Sequence, residues 1–200
     1  MAKKTAGSKS LKSGNGKAIW LLVSADIVAI VLVLTGFAFT RGAFADLAQS
    51  TIIRQLLFAP VGPLIALFLN ELLPSGIKAS IVFWRFRDAL PGHRAFSDYA
   101  EADPRIDMAG LKMKIGEIPE SPRDQNTCWY RLYQKHQSNV IISDSHKRFL
   151  LFRDSSTLTL LIFVIAGVAT ALSGIPLGLQ AVIAGGLAMQ FLWLSVSARN

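Results

Sequence analysis

The chain has 200 residues, of which 52% are hydrophobic, and its 21 Lys and Arg against 13 Asp and Glu give a formal net charge of +8. The apolar residues fall in a few long runs, which excludes an ordinary water-soluble domain and points to a membrane protein. The lone cysteine, Cys128, excludes an internal disulfide and a cysteine-built metal site.

Residues 1–17 carry five lysines among Gly, Ser and Thr with no hydrophobic period, so they read as a disordered basic tail attracted to acidic lipid. The apolar run Ala18 to Phe39 follows. It exceeds the roughly 7 to 15 apolar residues of a signal-peptide core and is long enough to span lipid, so a retained anchor is expected. It holds one acid, Asp26, about 12 Å along a helix rising about 1.5 Å per residue. The second run, Leu56 to Leu73, is about the minimum for a crossing and is expected to kink at Pro60 and Pro63.

The polar middle of the chain reads as short helices. Between Pro74-Ser75-Gly76 and Pro91-Gly92, the residues Ile77, Ile81, Trp84 and Leu90 interleave with Lys78, Arg85 and Arg87. That pattern suits a helix at the inner membrane surface, with Trp84 at headgroup level, or an ordinary core helix with basic caps. "DPRIDMAGLKMKIG" predicts a helix over 104–115 with Asp103 as N-cap and Gly116 at its stop. "SPRDQNTCWYRLYQKH" predicts another, capped by Ser121, Pro122 and Asp124, with Trp129, Leu132, Tyr133 and His136 on one face. A last one, near Val140 to Asp154, is expected to run into the third span. The spans Thr157 to Ala171 and Ile175 to Ser197 are separated by a tight link and form an antiparallel pair with small residues for close approach.

The fold class expected is therefore an all-α membrane protein: four transmembrane helices in two hairpins flanking a small helical cytoplasmic module. The domains are a basic tail (1–17), a first hairpin (18–73), the module (74–156) and a second hairpin (157–197). Thirteen Lys and Arg lie between Lys78 and Asp154, five in the tail and two between the first spans. The positive-inside rule then places both termini and the module in the cytoplasm of a cell whose inner (plasma) membrane holds the spans. With ten acids against its thirteen bases, the module is too weakly basic to bind nucleic acid directly by composition.

The chemistry expected is that of an intramembrane polar layer. Asp26, Asn70, Glu71, Thr159 and Gln190 fall at similar depth on four helices, and a charged group in lipid, costing about 2.5 to 3.5 kcal/mol at mid-helix, normally faces a bundle interior. Asp26 is expected to meet Gln190, Asn70 or Thr159. Trp84, Arg85, Arg87, Trp129 and Tyr133 are the expected membrane-surface or partner contacts. Asp103 and Asp107, four apart, have the spacing to hold a divalent cation but read more simply as a cap and a solvated acid. The histidines lack zinc spacing, and Pro91 to Arg94 matches only a fragment of a lipid-phosphatase signature whose other elements are missing. No catalytic, cofactor-binding or metal-ligating residue is assigned, and no cofactor is expected.

The layout of the spans Ala18 to Phe39, Leu56 to Leu73, Thr157 to Ala171 and Ile175 to Ser197 around a small module resembles small transmembrane effectors of bacterial antiviral (anti-phage) defence systems, including those guarded by retrons or cyclic-nucleotide signalling. That resemblance implies a non-enzymatic effector whose module binds a protein partner and whose hairpins oligomerise or perturb the membrane. The alternatives are a membrane scaffold tethering a cytosolic complex, an oligomeric ion or proton channel or transport subunit, and a lipid- or nucleotide-acting enzyme using Asp103, Asp107 and His93.

Overall fold

The computed structural model describes residues 14–40, 61–172 and 175–199. Nearly all of the basic tail, the connection between the first two spans with Pro60, and the tip between the last two lie outside the described residues. Among the described residues the elements are α1 (Gly16–Thr40), α2 (Val61–Leu72), α3 (Ser75–Phe83), a 3-10 turn (Pro91–Arg94), a π-helical turn (Ala95–Ala100), α4 (Met108–Ile115), α5 (Pro122–His136), α6 (Val140–Leu172) and α7 (Leu177–Arg199). No strand occurs among them.

Three helices are long and apolar enough to cross a bilayer: α1, α6 and α7. At about 1.5 Å per residue, α1 measures about 37 Å, α6 about 50 Å and α7 about 35 Å, against a hydrocarbon core about 30 Å thick. Their many Val and Ile residues are mediocre helix formers in water. Lipid removes that disadvantage, because a spanning segment must satisfy every backbone N–H and C=O internally. By contrast, α2 has 12 described residues, about 18 Å, and is too short by itself. It stops just before Pro74, which opens the next helix.

The chain divides into two compact units, residues 1–73 with 147–200, and residues 74–146. The division thus falls inside α6, whose first seven residues belong to the second unit. The first unit is a bundle. Its core is Ile19 and Val23 from α1, Ala66 from α2, Leu158 and Ile162 from α6, and Ile183 and Leu187 from α7, so four helices share one interior. Each pair four residues apart lies on one helix face, as the 3.6-residue period requires. The outer faces stay apolar, with Leu21, Leu32, Val168, Val182, Met189 and Trp193 all exposed. A bundle greasy on the outside is what lipid as solvent selects. At its base, Asn15 Nδ2 donates to the carbonyl of Lys147 (2.9 Å), tying the start of α1 to α6.

The second unit holds short helices with explicit end caps. Ser121 Oγ accepts the N–H of Asp124 (3.1 Å) and donates to its carboxyl (2.6 Å), the predicted cap of α5. Asn139 Oδ1 accepts the N–H of Ile141 (2.9 Å) at the start of α6. Two expectations shift. The helix predicted from residue 104 begins at Met108, and Asp107, not Asp103, is its N-cap, accepting from Ala109 N and Gly110 N (3.0 Å each). Asp103 instead accepts the N–H of Arg105 (3.0 Å), which closes a turn competing with helix. Gly116 does end the helix, at φ 83, a conformation glycine adopts without a Cβ clash. The helix expected between Pro74-Ser75-Gly76 and Pro91-Gly92, at the membrane surface or in a core, stops at Phe83; Lys78, Ala79 and Val82 are buried and Ile77 is exposed.

Candidate functional site: a polar chain inside the bundle

On α1, Ile19, Val23 and Asp26 lie at i, i+4, i+7; on α7, Ile183, Leu187 and Gln190 lie at the same spacing. Each helix therefore continues its core stripe into a polar residue, and those two residues meet. Asp26, 5% exposed, pairs through its carboxyl with the side-chain amide of Gln190. The amide in turn donates to Thr159 Oγ1 on α6 (3.3 Å). Three helices are thus joined by one chain of side-chain hydrogen bonds, in the order α1, α7, α6. Asp26 Oδ2 is buried and has no partner among the described residues.

A second rung lies one turn away. Ser156 Oγ and Ser195 Oγ, both buried, are 3.2 Å apart. From Ser156 to Thr159 the number rises along α6, while from Ser195 to Gln190 it falls along α7, so the rungs fix opposite chain directions. Phe152 and Trp193 add an edge-to-face ring contact (centroids 6.3 Å). Below the rungs, Arg153 Nε and Nη2 donate to Asp154 Oδ1 (2.9 and 2.7 Å), a buried ion pair between neighbours in sequence. Thr157 Oγ1 donates back to the Arg153 carbonyl (3.0 Å), so this stretch of α6 carries polar groups without exposing them.

Of the five residues expected in the polar layer, Asp26, Thr159 and Gln190 are brought together. Asn70 is fully buried, one turn beyond the core residue Ala66, and both its amide atoms lack partners among the described residues. Glu71 is exposed. The neighbouring position on a helix points about 100° away, so Asn70 and Glu71 cannot both face the core. Ser156, Ser195 and the Arg153–Asp154 pair were missed by sequence reading. Once Thr159 opposes Gln190, a turn back on one helix and a turn forward on the other reaches Ser156 and Ser195, and that arithmetic is the signal that finds them.

In the second unit, the expected contact residues split into two groups. Trp129 and Tyr133 stack on one another (centroids 5.6 Å), and the His146 ring lies 4.7 Å from Tyr133 and 6.4 Å from Trp129. Both aromatics are half-buried in this cluster. Trp84, Arg85 and Arg87 are exposed, in the segment just after α3. Gln125, buried on α5, accepts through Oε1 the N–H groups of Phe96 and Ser97 (3.2 Å each) and so clips the start of the π-helical turn to α5. Gly92 packs so closely on α5 that a Cβ there would meet Asn126 Oδ1 and Trp129 Cε3 (3.2 Å).

The charges of the two aspartates first weighed as a cation pair are otherwise engaged. Arg105 pairs with Asp103 through Nε (2.8 Å) and Nη2 (2.7 Å), and these bonds with the backbone N–H hold the Asp103 carboxyl down to about 2. Asp107 caps α4. Among the described residues no three His, Cys, Asp or Glu side chains are gathered to hold a metal ion. The chain matches no protein-family model, no curated protein and no solved structure.

Proposed function

We propose that this protein is a non-enzymatic effector of the inner membrane: a cytoplasmic module binds a protein partner, and the spans respond by oligomerising or perturbing the bilayer. In this reading α2, with residues that precede it, makes a fourth crossing. The four crossings form two hairpins, and both termini face the cytoplasm with the module. The observation that carries the reading is α6. One unbroken helix holds His146 in the aromatic cluster of the module and Thr159 in the polar chain of the bundle. A partner that re-orders Trp129 and Tyr133 therefore acts on the helix that also carries Thr159, the acceptor of the Gln190 amide. The layout resemblance to anti-phage effectors points the same way.

The test is inducible expression in a bacterium carrying a membrane-potential dye, with the native chain and with Asp26→Asn and Gln190→Leu. Loss of potential with the native chain, abolished in both variants at equal membrane abundance, is the expected result. A native chain that leaves the potential intact, and that co-purifies in mild detergent with a cytosolic complex, makes the protein a tethering scaffold instead. A second reading, an oligomeric ion or proton channel, is favoured by one observation: the buried, unpartnered Oδ2 of Asp26 beside the Gln190 amide. Steady proton flux through the purified chain in liposomes, lost in Asp26→Asn, selects it over the effector.

A further inference from the structure

Sequence patterning gave the residues after Pro74 a helix, either at the inner membrane surface or in a core with basic caps, and the structure ends that helix at Phe83 and follows it with an exposed loop. Helix α3 ends because Trp84 takes the left-handed conformation (φ 55), its N–H closing on the Ser80 carbonyl. The next left-handed residue is Asp88 (φ 48). These are the only non-glycine residues with positive φ among the described residues, and they bracket the segment Trp84-Arg85-Phe86-Arg87-Asp88. For a bulky aromatic such a φ is a genuine outlier, and outliers of this kind persist where the surrounding structure enforces them for a use.

The enforcement is visible on both sides. Val82 and Ala89 are buried, and the Phe83 ring lies 5.9 Å from the Arg94 guanidinium carbon, so both feet of the loop are anchored. Between the feet all five residues are exposed. Phe86 is 100% exposed and Trp84 59%. A protein stable in water does not spend anchoring and backbone strain to hold a phenylalanine wholly in solvent.

We infer that the Trp84–Asp88 loop is a docking element for an anionic phospholipid surface, with Phe86 and Trp84 entering the interface and Arg85 and Arg87 pairing with headgroup phosphates. Aromatic rings alternating with arginines are the composition that sits at the headgroup level: rings prefer the boundary of the acyl region, and guanidinium groups bind phosphate in a fixed fork. Covalent connection supplies the second argument. Only ten residues separate Leu73, just past the end of α2, from Trp84, and nine of them belong to α3. A helix of that length with its two short links reaches no further than about 25 Å, so the loop cannot leave the neighbourhood of the bilayer that holds the bundle. A protein partner has no comparable claim on this loop, and two arginines are too few for nucleic acid. The inference rests on the bundle lying in a membrane and not on the effector reading, so the two can fail separately.

The test places the full chain in nanodiscs of phosphatidylcholine alone, or with about a third phosphatidylglycerol, which supplies the negative surface potential. A nitroxide at Phe86→Cys, in a Cys128→Ser background, is compared with one at Met113→Cys, a position 85% exposed in the same unit. In anionic discs the label at 86 should be several-fold less accessible to a water-soluble nickel chelate than the label at 113, and more accessible to oxygen. As a second measurement on the native chain, amide exchange over 85–88 should slow several-fold when phosphatidylglycerol is added, and Arg85→Gln with Arg87→Gln should remove that slowing. A label at 86 as open to the chelate as the one at 113 overturns the inference, and so does immersion that is the same in both lipid compositions.

Discussion

The two units of this chain solve the same problem in opposite ways. In the bundle the core residues are mostly large and aliphatic, and the polar groups point inward: Asp26, Thr159, Ser156, Ser195 and Gln190 find one another inside an apolar shell. In the second unit the buried apolar side chains are mostly small (Ala79, Val82, Ala89, Phe96 and Ala100), and order comes from directed hydrogen bonds by Ser121, Asp107, Asn139 and Gln125. The difference follows from the solvent. In lipid, burial of aliphatic surface gives little drive for association and buried polar contacts select the arrangement, whereas a small unit in water lacks the area for a strong core and leans on caps and clips.

The largest effect that separates the two regimes is expected at Gln125. Replacing it with Met keeps the volume and removes the acceptor of one buried and one half-buried N–H group, which should cost about 2 to 6 kcal/mol at about 1 to 3 per orphaned group. Amide-exchange mass spectrometry of the full chain in nanodiscs should show faster exchange across 91–100 and α5 with the bundle unchanged. Equal loss of protection in both units would mean that they do not unfold separately. Gly92→Ala should come next, at about 1 to 3 kcal/mol, because the added Cβ drives into Asn126 and Trp129 on α5. Its signature is a change in Trp129 fluorescence that Asn126→Ala partly relieves, since that substitution removes one of the two obstructing groups.

In the bundle the expected response is different in kind. Ser156→Ala leaves Ser195 buried without its partner and should cost about 1 kcal/mol, while Ser156→Ala with Ser195→Ala should return close to the native value, because no group is then left unsatisfied. Thermal unfolding of the four chains of this double-mutant cycle in one detergent measures it. A double variant worse than either single would show that the hydroxyl rung contributes packing and not merely mutual satisfaction.

How much of this was legible beforehand also divides along the two units. The Ile19, Val23, Asp26 spacing and its repetition in Ile183, Leu187, Gln190 can be read directly from the sequence, because a helical stripe in a bundle has a fixed period and α1 and α7 are uninterrupted. Pairing Asp26 with Gln190 and Thr159 required only that polar groups at similar depth seek one another. In the second unit local signals competed. Asp103-Pro104 and Asp107 both look like helix starts, and the turn closed by Arg105 onto Asp103 decided between them. The end of α3 was not legible: nothing in "VFWRFRD" forbids a further helical turn, and the left-handed Trp84 is set by tertiary anchoring at Phe83 and Ala89. The clip made by Gln125 joins residues 28 and 29 positions apart, beyond the reach of any periodicity.

The smallest effect concerns that same Asp103–Arg105 turn, and it asks whether charge alone, in water, holds any of the second unit in place. The Asp103 carboxyl is held at about 2 in the folded chain, against about 3.9 for an unconstrained aspartate. A folded value below the unfolded one means that the pairing adds stability above the unfolded value and loses it as the pH falls from about 3.9 through about 2. Arg105 is exposed and Asp103 half-buried at the surface, so salt should erode the contribution and the unit should keep its fold when it is lost. Carbon-13 titration of the Asp103 carboxyl in nanodiscs should therefore give a midpoint near about 2 in low salt, moving upward in Arg105→Gln and in high salt alike. If the midpoint stays low in Arg105→Gln, the backbone N–H of residue 105 and not the guanidinium sets it, and the turn, like the caps of α4 and α5, is then held by hydrogen-bond geometry with the ion pair as a bystander.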